Sequence, residues 1–355
     1  MELNNIIFPF LLLFFSYLIS KYFLYILNKS NKNLLIDNQF EKPQAFHEKS
    51  TYRLGGAIIF LSLAFLFLYL FFYKDILLIE YITFCSLFFI LGFIDDLKIN
   101  LKPKFRLFLM TTFLIALIIF NETNIEKVSL KYLENLMEID IFALFFVCLC
   151  FLFIINGANL IDGFNGLLGL HSLIILGLLS WINLYYGNYN LSYIFFNISL
   201  IILIFIIFNF PRAQMFLGDG GAYLVGILIA ISSIKTNNLI PSISSFFFCI
   251  LLFYLFIEVF FSFFRKIFLK KQNPLLPDKE HLHMLVYKFL LNKYKNKSIS
   301  NYKVSIYINS TYMLLIFPGL VFMNNGSFCR YYFIFLLLIY AYFYKILYSK
   351  VKKIV

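Results

Sequence analysis

The stretch that decides the fold lies just past the middle of the chain, where residues 191–209 read LSYIFFNISLIILIFIIFN. It contains no Asp, Glu, Lys, Arg or His, and as a helix it would rise about 28 Å, close to the hydrocarbon thickness of a bilayer. Ten further runs of similar length and composition surround it. The predicted spans lie near residues 5–27, 54–73, 76–94, 105–121, 141–160, 167–186, 191–209, 220–234, 244–264, 304–323 and 330–348. We therefore predict an all-α fold, a polytopic membrane bundle of 10–11 transmembrane helices in one domain, residues 1–355.

Composition and charge agree with this fold. Hydrophobic residues make up 62% of the 355 residues and charged residues only 14%, which does not suit a water-facing surface. The five cysteines show no C-x-x-C spacing, so neither a disulfide framework nor a zinc site is predicted.

The basic residues indicate an orientation. Of the 30 Lys and Arg, 24 lie in the C-terminal tail and in the loops after odd-numbered spans, five lie in the alternate loops, and one lies within the first span. This positive-inside pattern explains the net charge of +12 without a nucleic-acid partner. It predicts an outer N-terminus and a cytoplasmic C-terminus.

Five polar clusters fall on the predicted cytoplasmic side. The first, LGFIDDLKINLKPKFRL (residues 91–107), places Asp95 and Asp96 before several basic residues including Lys104. Neighbouring carboxylates followed by cations suit a site that holds phosphates and a divalent metal. Adjacent helical residues point about 100° apart, so the two carboxylates are expected to have different roles. An interfacial acidic pair balanced by lysines is the alternative.

The second cluster, IINGANLIDGFNGLLGL (residues 154–170), offers oxygen ligands at spacings of three. On a helix, Asn156, Asn159 and Asp162 would cover an arc of roughly 120° and line one side of a pocket, with Asn165 following. A polar turn between helices is the alternative. The third cluster, FLGDGGA, sets Asp219 at a helix entrance, where backbone N–H groups could face phosphate and the carboxylate could hold Mg²⁺. A tight turn would also explain it.

The remaining clusters contain histidine. NPLLPDKEHLHML (residues 273–285) presents His281 and His283, whose spacing favours phosphate or nucleotide contact over zinc. AFHEKSTYRLGGAIIF (residues 45–60) places His47, Lys49 and Arg53 before a span, either as a phosphate-facing entrance or as a positive-inside charge cluster.

Taken in order, the clusters resemble motifs of the polyprenyl-phosphate N-acetylhexosamine-1-phosphate transferases, glycosyltransferase family 4. The resemblance runs from about residue 47 to residue 284. The matching segments read H-E-K-S-T-Y-R-L-G-G, D-D-L-K-I-N-L-K-P-K-F-R-L, N-G-A-N-L-I-D-G-F-N-G-L, F-L-G-D-G-G-A and P-D-K-E-H-L-H-M. The T-x-R-L-G-G form looks more like the branch that initiates O-antigen, common-antigen or teichoic-acid lipids than the peptidoglycan branch, a phospho-MurNAc-pentapeptide transferase.

Several positions depart from the family pattern. Tyr52 replaces the usual Pro, Lys279 an Arg, Met284 a His and Ala222 a Ser, and Pro211 comes one place early after Asn209. These changes leave the acidic residues intact and could alter which sugar or nucleotide is accepted.

The resemblance implies a bacterial inner-membrane enzyme that transfers a sugar 1-phosphate from a UDP-sugar to undecaprenyl phosphate and releases UMP, by direct attack or in two steps. Mg²⁺, or Mn²⁺ in its place, is the expected cofactor, and a homodimer is an expected assembly. The expected active-site face comprises loops 28–53, 95–104, 161–166, 210–219 and 265–303.

Residue roles follow from the same resemblance. Asp219 and Asn159 are expected to hold the metal, and Asp95 to position or deprotonate the acceptor phosphate beside Asp96 and Asp162. The expected substrate-binding residues are Arg53, Lys104, Asn156, Asn165, Asn209, His281 and His283. A transporter of lipid-linked sugars is the rival, but it would be expected to place ionisable groups near the bilayer midplane rather than at one face.

Overall fold

The computed structural model describes residues 3–29, 35–37, 50–99, 101–273 and 278–353. Over these ranges the chain is mainly helical. The helices are α1 (Leu3–Lys29), α2 (Gly55–Lys74), α3 (Ile79–Asp96), α4 (Pro103–Phe120), α5 (Lys131–Met137), α6 (Asp140–Ile161), α7 (Leu167–Tyr185), α8 (Tyr189–Asn209), α9 (Gly218–Leu239), α10 (Ser245–Leu251), α11 (Phe253–Phe264), α12 (Leu282–Tyr294), α13 (Lys297–Val321) and α14 (Gly326–Lys352). A π-helical turn, Arg265–Leu269, continues α11.

The helices confirm the predicted polytopic membrane architecture. Within the described ranges, nine helices are long and apolar enough to cross a bilayer, and α10 with α11 and its π-helical turn forms a tenth, bent by 74°. The remaining predicted span corresponds to α3, which carries three acidic residues, Glu80, Asp95 and Asp96. Each of the eleven predicted runs therefore coincides with a helix or with the bent pair.

Helix α9 lies at the centre of the bundle. In its most apolar 18-residue stretch 78% is buried inside the bundle, whereas in the corresponding stretch of α14 only 17% is buried. Small residues allow this packing: a Cβ on Gly92 of α3 would overlap the backbone at Asp219, and one on Gly56 of α2 would overlap Gly221. The N-termini of α2 and α9 and the C-terminus of α3 are thereby brought together at one end of the bundle.

A small sheet at that end is a departure from the purely helical prediction. Strand β1 (Ile36–Asp37) pairs antiparallel with β2 (Thr51–Arg53), and β2 pairs parallel with β3 (Met215–Phe216). The strands are too short for a period-two pattern to be recognised in the sequence. Their effect is to hold Arg53 beside the segment that begins α9.

Candidate active site

A cavity of about 870 Å³ opens at the end of the bundle where α2, α3 and α9 meet. It brings together residues from clusters that are distant in sequence. Eight of the predicted site residues line it, namely Arg53, Asn156, Asn159, Asp162, Asn165, Asn209, Asp219 and His281. The other four predicted site residues, Asp95, Asp96, Lys104 and His283, do not line the cavity that the described residues form.

Asp96 lies behind the cavity wall and caps α9. Its Oδ1 accepts the backbone N–H of Asp219 and its Oδ2 accepts that of Gly220, both at 2.9 Å. The expectation that these two amides face a phosphate is therefore wrong, because a protein carboxylate already accepts from them. Gly218 permits this approach: its φ is +79°, and a Cβ there would lie 2.5 Å from Asp96 Oδ2.

Asp95 has a different environment, as the helical offset predicted. Its Oδ2 accepts from Arg106 Nη1 at 2.8 Å, and its Oδ1 accepts from the backbone N–H of Leu101 at 3.1 Å. The same Arg106 nitrogen lies 3.4 Å from Asp219 Oδ2, so one guanidinium joins two carboxylates. Asp219 is the most open of the three acids, with 31% of its side chain exposed against 10% for Asp95 and 2% for Asp96.

Arg53 forms a second bridge across the site. Its Nη2 donates to Asp37 Oδ2 at 2.7 Å, and its Nη1 lies 3.4 Å from Asp96 Oδ1. Asp37 also lines the cavity. Strand pairing between β1 and β2 holds this carboxylate and guanidinium together, and the two bridging arginines compensate much of the local negative charge.

The amide cluster at the C-terminal end of α6 divides into two groups. Asn156, Asn159 and Asp162 line the cavity at the spacings of three seen in the sequence. Burial raises the pKa of Asp162 well above its usual value, and the charges of Asp219 and Asp96 raise it further while Arg53 opposes them. The charged form of Asp162 is therefore disfavoured here, and a bound cation would stabilise it.

Asn165 and Asn209 make structural hydrogen bonds besides lining the cavity. Asn209 Oδ1 accepts from the backbone N–H of Gly166 at 2.6 Å, and its amide donates to the carbonyl of Met215 at 2.8 Å. The amide of Asn165 donates to the carbonyl of Pro211 at 3.0 Å. The two side chains thus join the loop after α6 to the segment leading into β3, and their contact with substrate remains a prediction.

The two histidines of the fourth cluster are both buried, at 2% and 0% exposed, but they differ in their relation to the cavity. His281 lines the cavity, whereas His283 is fully buried behind it, with Nδ1 3.3 Å from the hydroxyl of Tyr254. Burial lowers the pKa of His283 to about 4, so its ring is neutral at pH 7. A charged contact between His283 and a phosphate is therefore not supported by this arrangement.

Comparison with known proteins gives the family. Residues 78–237 match Glycosyl transferase family 4. The chain is also 32% identical over 236 residues to the phospho-N-acetylmuramoyl-pentapeptide-transferase of Dictyoglomus thermophilum, covering 64% of this chain and 73% of that protein. The chain belongs to glycosyl transferase family 4.

Family relatives of a second kind match over comparable lengths. The undecaprenyl-phosphate alpha-N-acetylglucosaminyl 1-phosphate transferase of Thermotoga maritima is 28% identical over 290 residues, 82% of this chain and 81% of that protein. The probable undecaprenyl-phosphate N-acetylglucosaminyl 1-phosphate transferase of Bacillus subtilis is 28% identical over 244 residues, 67% and 66% of the two chains. The resemblance inferred from the five motifs is confirmed.

Sequence reasoning about this family member missed two residues at the site. Arg106 was identified only as one of several basic residues, although its place in the P-K-x-R-L segment could have marked it as a site residue. Nothing in the sequence singled out Asp37. Lys104, two residues before Arg106, has an exposed side chain. His47 and Lys49 lie outside the described residues.

Proposed function

We propose that this protein transfers an N-acetylhexosamine 1-phosphate from a cytoplasmic UDP-sugar to undecaprenyl phosphate, forming a lipid-linked diphosphate sugar and releasing UMP. The relatives named for transfer of N-acetylglucosamine 1-phosphate cover most of the chain and support this reaction class. The proposed orientation places the cavity at the cytoplasmic face, where nucleotide sugars are available.

The observation that carries the proposal is the amphiphilic lining of the cavity. One end holds carboxylates, amides and two arginines, while another wall is built from apolar residues of α6 and α11, including Leu152, Phe153, Phe260 and Phe263. Phe260 and Phe263 are also 45% and 46% exposed. A lipid phosphate fits such a cavity, with its chain along the phenylalanine wall and its head group at the polar end.

The donor set at the polar end suits Mg²⁺. The described residues contain no cluster of three or more His, Cys, Asp or Glu side chains with metal-ligand geometry. Mg²⁺, however, is usually held by one or two carboxylates together with substrate phosphates and water. Asn159 and Asp219, which is more exposed than Asp95 and Asp96, would hold the ion. The nearby charges of Asp219 and Asp96 raise the pKa of Asp162, and this electrostatic repulsion favours a cation here. When bound, Mg²⁺ supplies charge neutralisation for the two phosphates.

The reaction exchanges one diphosphate bond for another. An oxygen of the acceptor phosphate attacks the β-phosphorus, the bond from that phosphorus to the bridging oxygen breaks, and UMP leaves. Because a phosphate monoester with a second pKa of about 6 is mostly dianionic at pH 7, we assign Asp95 a positioning role ahead of proton removal. Arg106 and Arg53 lie where they can stabilise the added negative charge.

The experiment is transfer by the purified protein with undecaprenyl phosphate, Mg²⁺ and UDP-N-acetylglucosamine labelled at the β-phosphorus. The label should enter the lipid fraction, and unlabelled UMP should appear in water. Since the equilibrium constant should be near unity, excess UMP should draw label back from the lipid. Label that stays in water as UDP while the sugar reaches the lipid would contradict the reaction class.

A second donor is favoured by a specific observation. Two Dictyoglomus relatives named phospho-N-acetylmuramoyl-pentapeptide-transferase are each 32% identical to this chain. The same assay with UDP-N-acetylmuramoyl-pentapeptide, compared with UDP-N-acetylglucosamine at equal concentration, distinguishes the two branches by the mass of the lipid product.

A further inference from the structure

Glu258 is a fully buried carboxylate in the bent helix α11. Only 1% of its side chain is exposed. It lies within the predicted ninth span, where an unpartnered charge would be strongly destabilising. Its partners are therefore informative about its role.

Four side chains lie near this carboxylate, one of them Tyr254 of the same helix. His281 Nδ1 lies 3.0 Å from its Oε2, and the hydroxyl of Tyr340, on α14, donates to its Oε1 at 3.0 Å. His283 Nδ1 lies 3.9 Å from Oε2, beyond hydrogen-bond distance. Of the two histidines, His281 is thus the hydrogen-bonded one and also the one that lines the cavity.

The hydrogen bond determines which nitrogen of His281 carries a proton. An ionised carboxylate can only accept, so Nδ1–H of His281 must donate to Glu258. Nε2 is then the ring nitrogen left for a ligand in the cavity. Asp278 Oδ2 lies 3.9 Å from Nε2, which is too far for a hydrogen bond.

The segment carrying His281 is anchored independently. Asp278 Oδ2 accepts from the hydroxyl of Ser262 at 2.8 Å and from Arg265. Burial raises the pKa of Asp278, but Arg265 and His281 more than offset this and hold it at about 2. Arg265 Nη1 also donates to the carbonyl of Glu280 at 2.8 Å. Because these bonds fix the backbone before His281, the contact with Glu258 is left to set the orientation of the imidazole ring.

We propose that Glu258 is a positioning residue, which holds His281 with Nδ1 protonated and Nε2 facing the diphosphate of the nucleotide-sugar donor. This inference rests on the proposed function, since it names the substrate group that His281 meets. The same chemistry is used in metal sites, where a carboxylate hydrogen-bonded to a ligand histidine fixes the tautomer and the orientation of its ring.

The first test reads the tautomer directly. Protein labelled with ¹⁵N-histidine contains four imidazoles, and His281→Asn identifies the signal of interest by its loss. In the wild-type protein the His281 signal should show a protonated Nδ1. A neutral ring protonated on Nε2 alone would overturn the proposal without any variant of Glu258.

The second test measures transfer by Glu258→Gln. Glutamine has one acceptor oxygen for the two donors, so His281 should populate both tautomers. The kcat/KM should fall about 10- to 100-fold, the range typical of losing an outer partner that orients a histidine. Adding Glu258→Gln to His281→Asn should cause little further loss, and Glu258→Asp, which keeps the carboxylate, should recover part of the activity.

The matched control is Glu80→Gln. Glu80 is also a partly buried acid, paired with Lys235 at 2.5 Å and accepting from Thr123 at 2.8 Å, but it lies at the opposite end of α3 from Asp95 and Asp96. Its substitution should leave transfer and the His281 signal unchanged.

The outcomes separate the two proposals. A protonated Nδ1 that gives way to a mixture of tautomers in Glu258→Gln, together with the non-additive fall in kcat/KM, supports positioning. Fully additive losses, or an unchanged tautomer in Glu258→Gln, overturn it. If wild-type protein transfers no sugar phosphate although the tautomer depends on Glu258, the proposed function fails while the positioning of His281 stands.

Discussion

Asp96 caps the helix that carries Asp219, with its two carboxylate oxygens 2.9 Å from the backbone nitrogens of Asp219 and Gly220. We expect Asp96→Asn to destabilise the protein by about 1–3 kcal/mol, because the amide leaves a buried N–H without an acceptor. Asp95→Asn should destabilise it less, since its remaining oxygen can still accept from Leu101. Thermal unfolding in detergent measures the difference. Equal stabilities for the two variants would argue against the capping role.

Gly218 should tolerate alanine poorly. Both Gly218 and Gly187 have φ near +80°, but a Cβ at Gly218 would overlap Asp96, whereas one at Gly187 meets nothing within 4 Å. Backbone strain alone is expected to cost each alanine variant about 1–2 kcal/mol. Gly218→Ala should additionally displace the cap and lose transfer activity, while Gly187→Ala should remain active. Similar activities in the two variants would contradict the close approach.

Arg106 and Lys104 offer a comparison of two cations on one helix turn. Arg106→Gln should lower kcat/KM by at least 10-fold, because it removes the guanidinium between Asp95 and Asp219. Lys104→Gln should change it less than threefold if its exposed side chain makes no donor contact. Steady-state kinetics with both substrates varied provides the measurement. A larger effect at Lys104 would support its predicted place in the donor site.

Asp219→Asn should raise the Mg²⁺ concentration needed for half-maximal transfer by about 10-fold or more, since it removes an anionic ligand. The matched control is Asp140→Asn, an exposed acid in the first turn of α6. Mn²⁺ binding followed by electron paramagnetic resonance gives a readout independent of turnover. Unchanged Mn²⁺ affinity in Asp219→Asn would remove Asp219 from the metal site.

The orientation predicts opposite labelling at two loops. In a protein whose five native cysteines are replaced, Asn188→Cys should react with an impermeant thiol reagent added to intact cells, because it lies in an alternate loop. Gln272→Cys, beyond the π-helical turn that follows α11, should react only after the membrane is opened. The reverse pattern would place the cavity on the outer side.

Much of the fold could be predicted because lipid imposes a simple rule of length and polarity on each span. The bend between α10 and α11 could not, since both halves read as one apolar run at 244–264. Helix α12 was likewise hidden within a long basic loop. In both cases the sequence pattern is local, whereas the bend and the docking of α12 depend on which helices pack against them.

The sequence predicted which polar clusters form the site, but not which side chains hydrogen-bond to one another. The helical offset predicted different roles for Asp95 and Asp96, and the structure gives them different hydrogen-bond partners. Nothing in the sequence indicated that Asp96 would accept from the amides of Asp219 and Gly220. Glu258 is the opposite case, because the sequence could have identified it. A single acid in an apolar span is itself a signal of a polar interior partner, and it was available from the sequence.

The hydroxyl of Tyr340 on the carboxylate of Glu258 ties the site to α14, the last helix that the structure describes. During synthesis, the cavity residues from Arg53 to His281 emerge from the ribosome before this tyrosine does. The ring of His281 consequently gains its complete support only when α14 has entered the membrane and packed. On the proposal that Glu258 positions His281, catalytic competence would depend on the packing of α14, and a chain clipped before Tyr340 would retain the acidic pocket without a correctly directed imidazole.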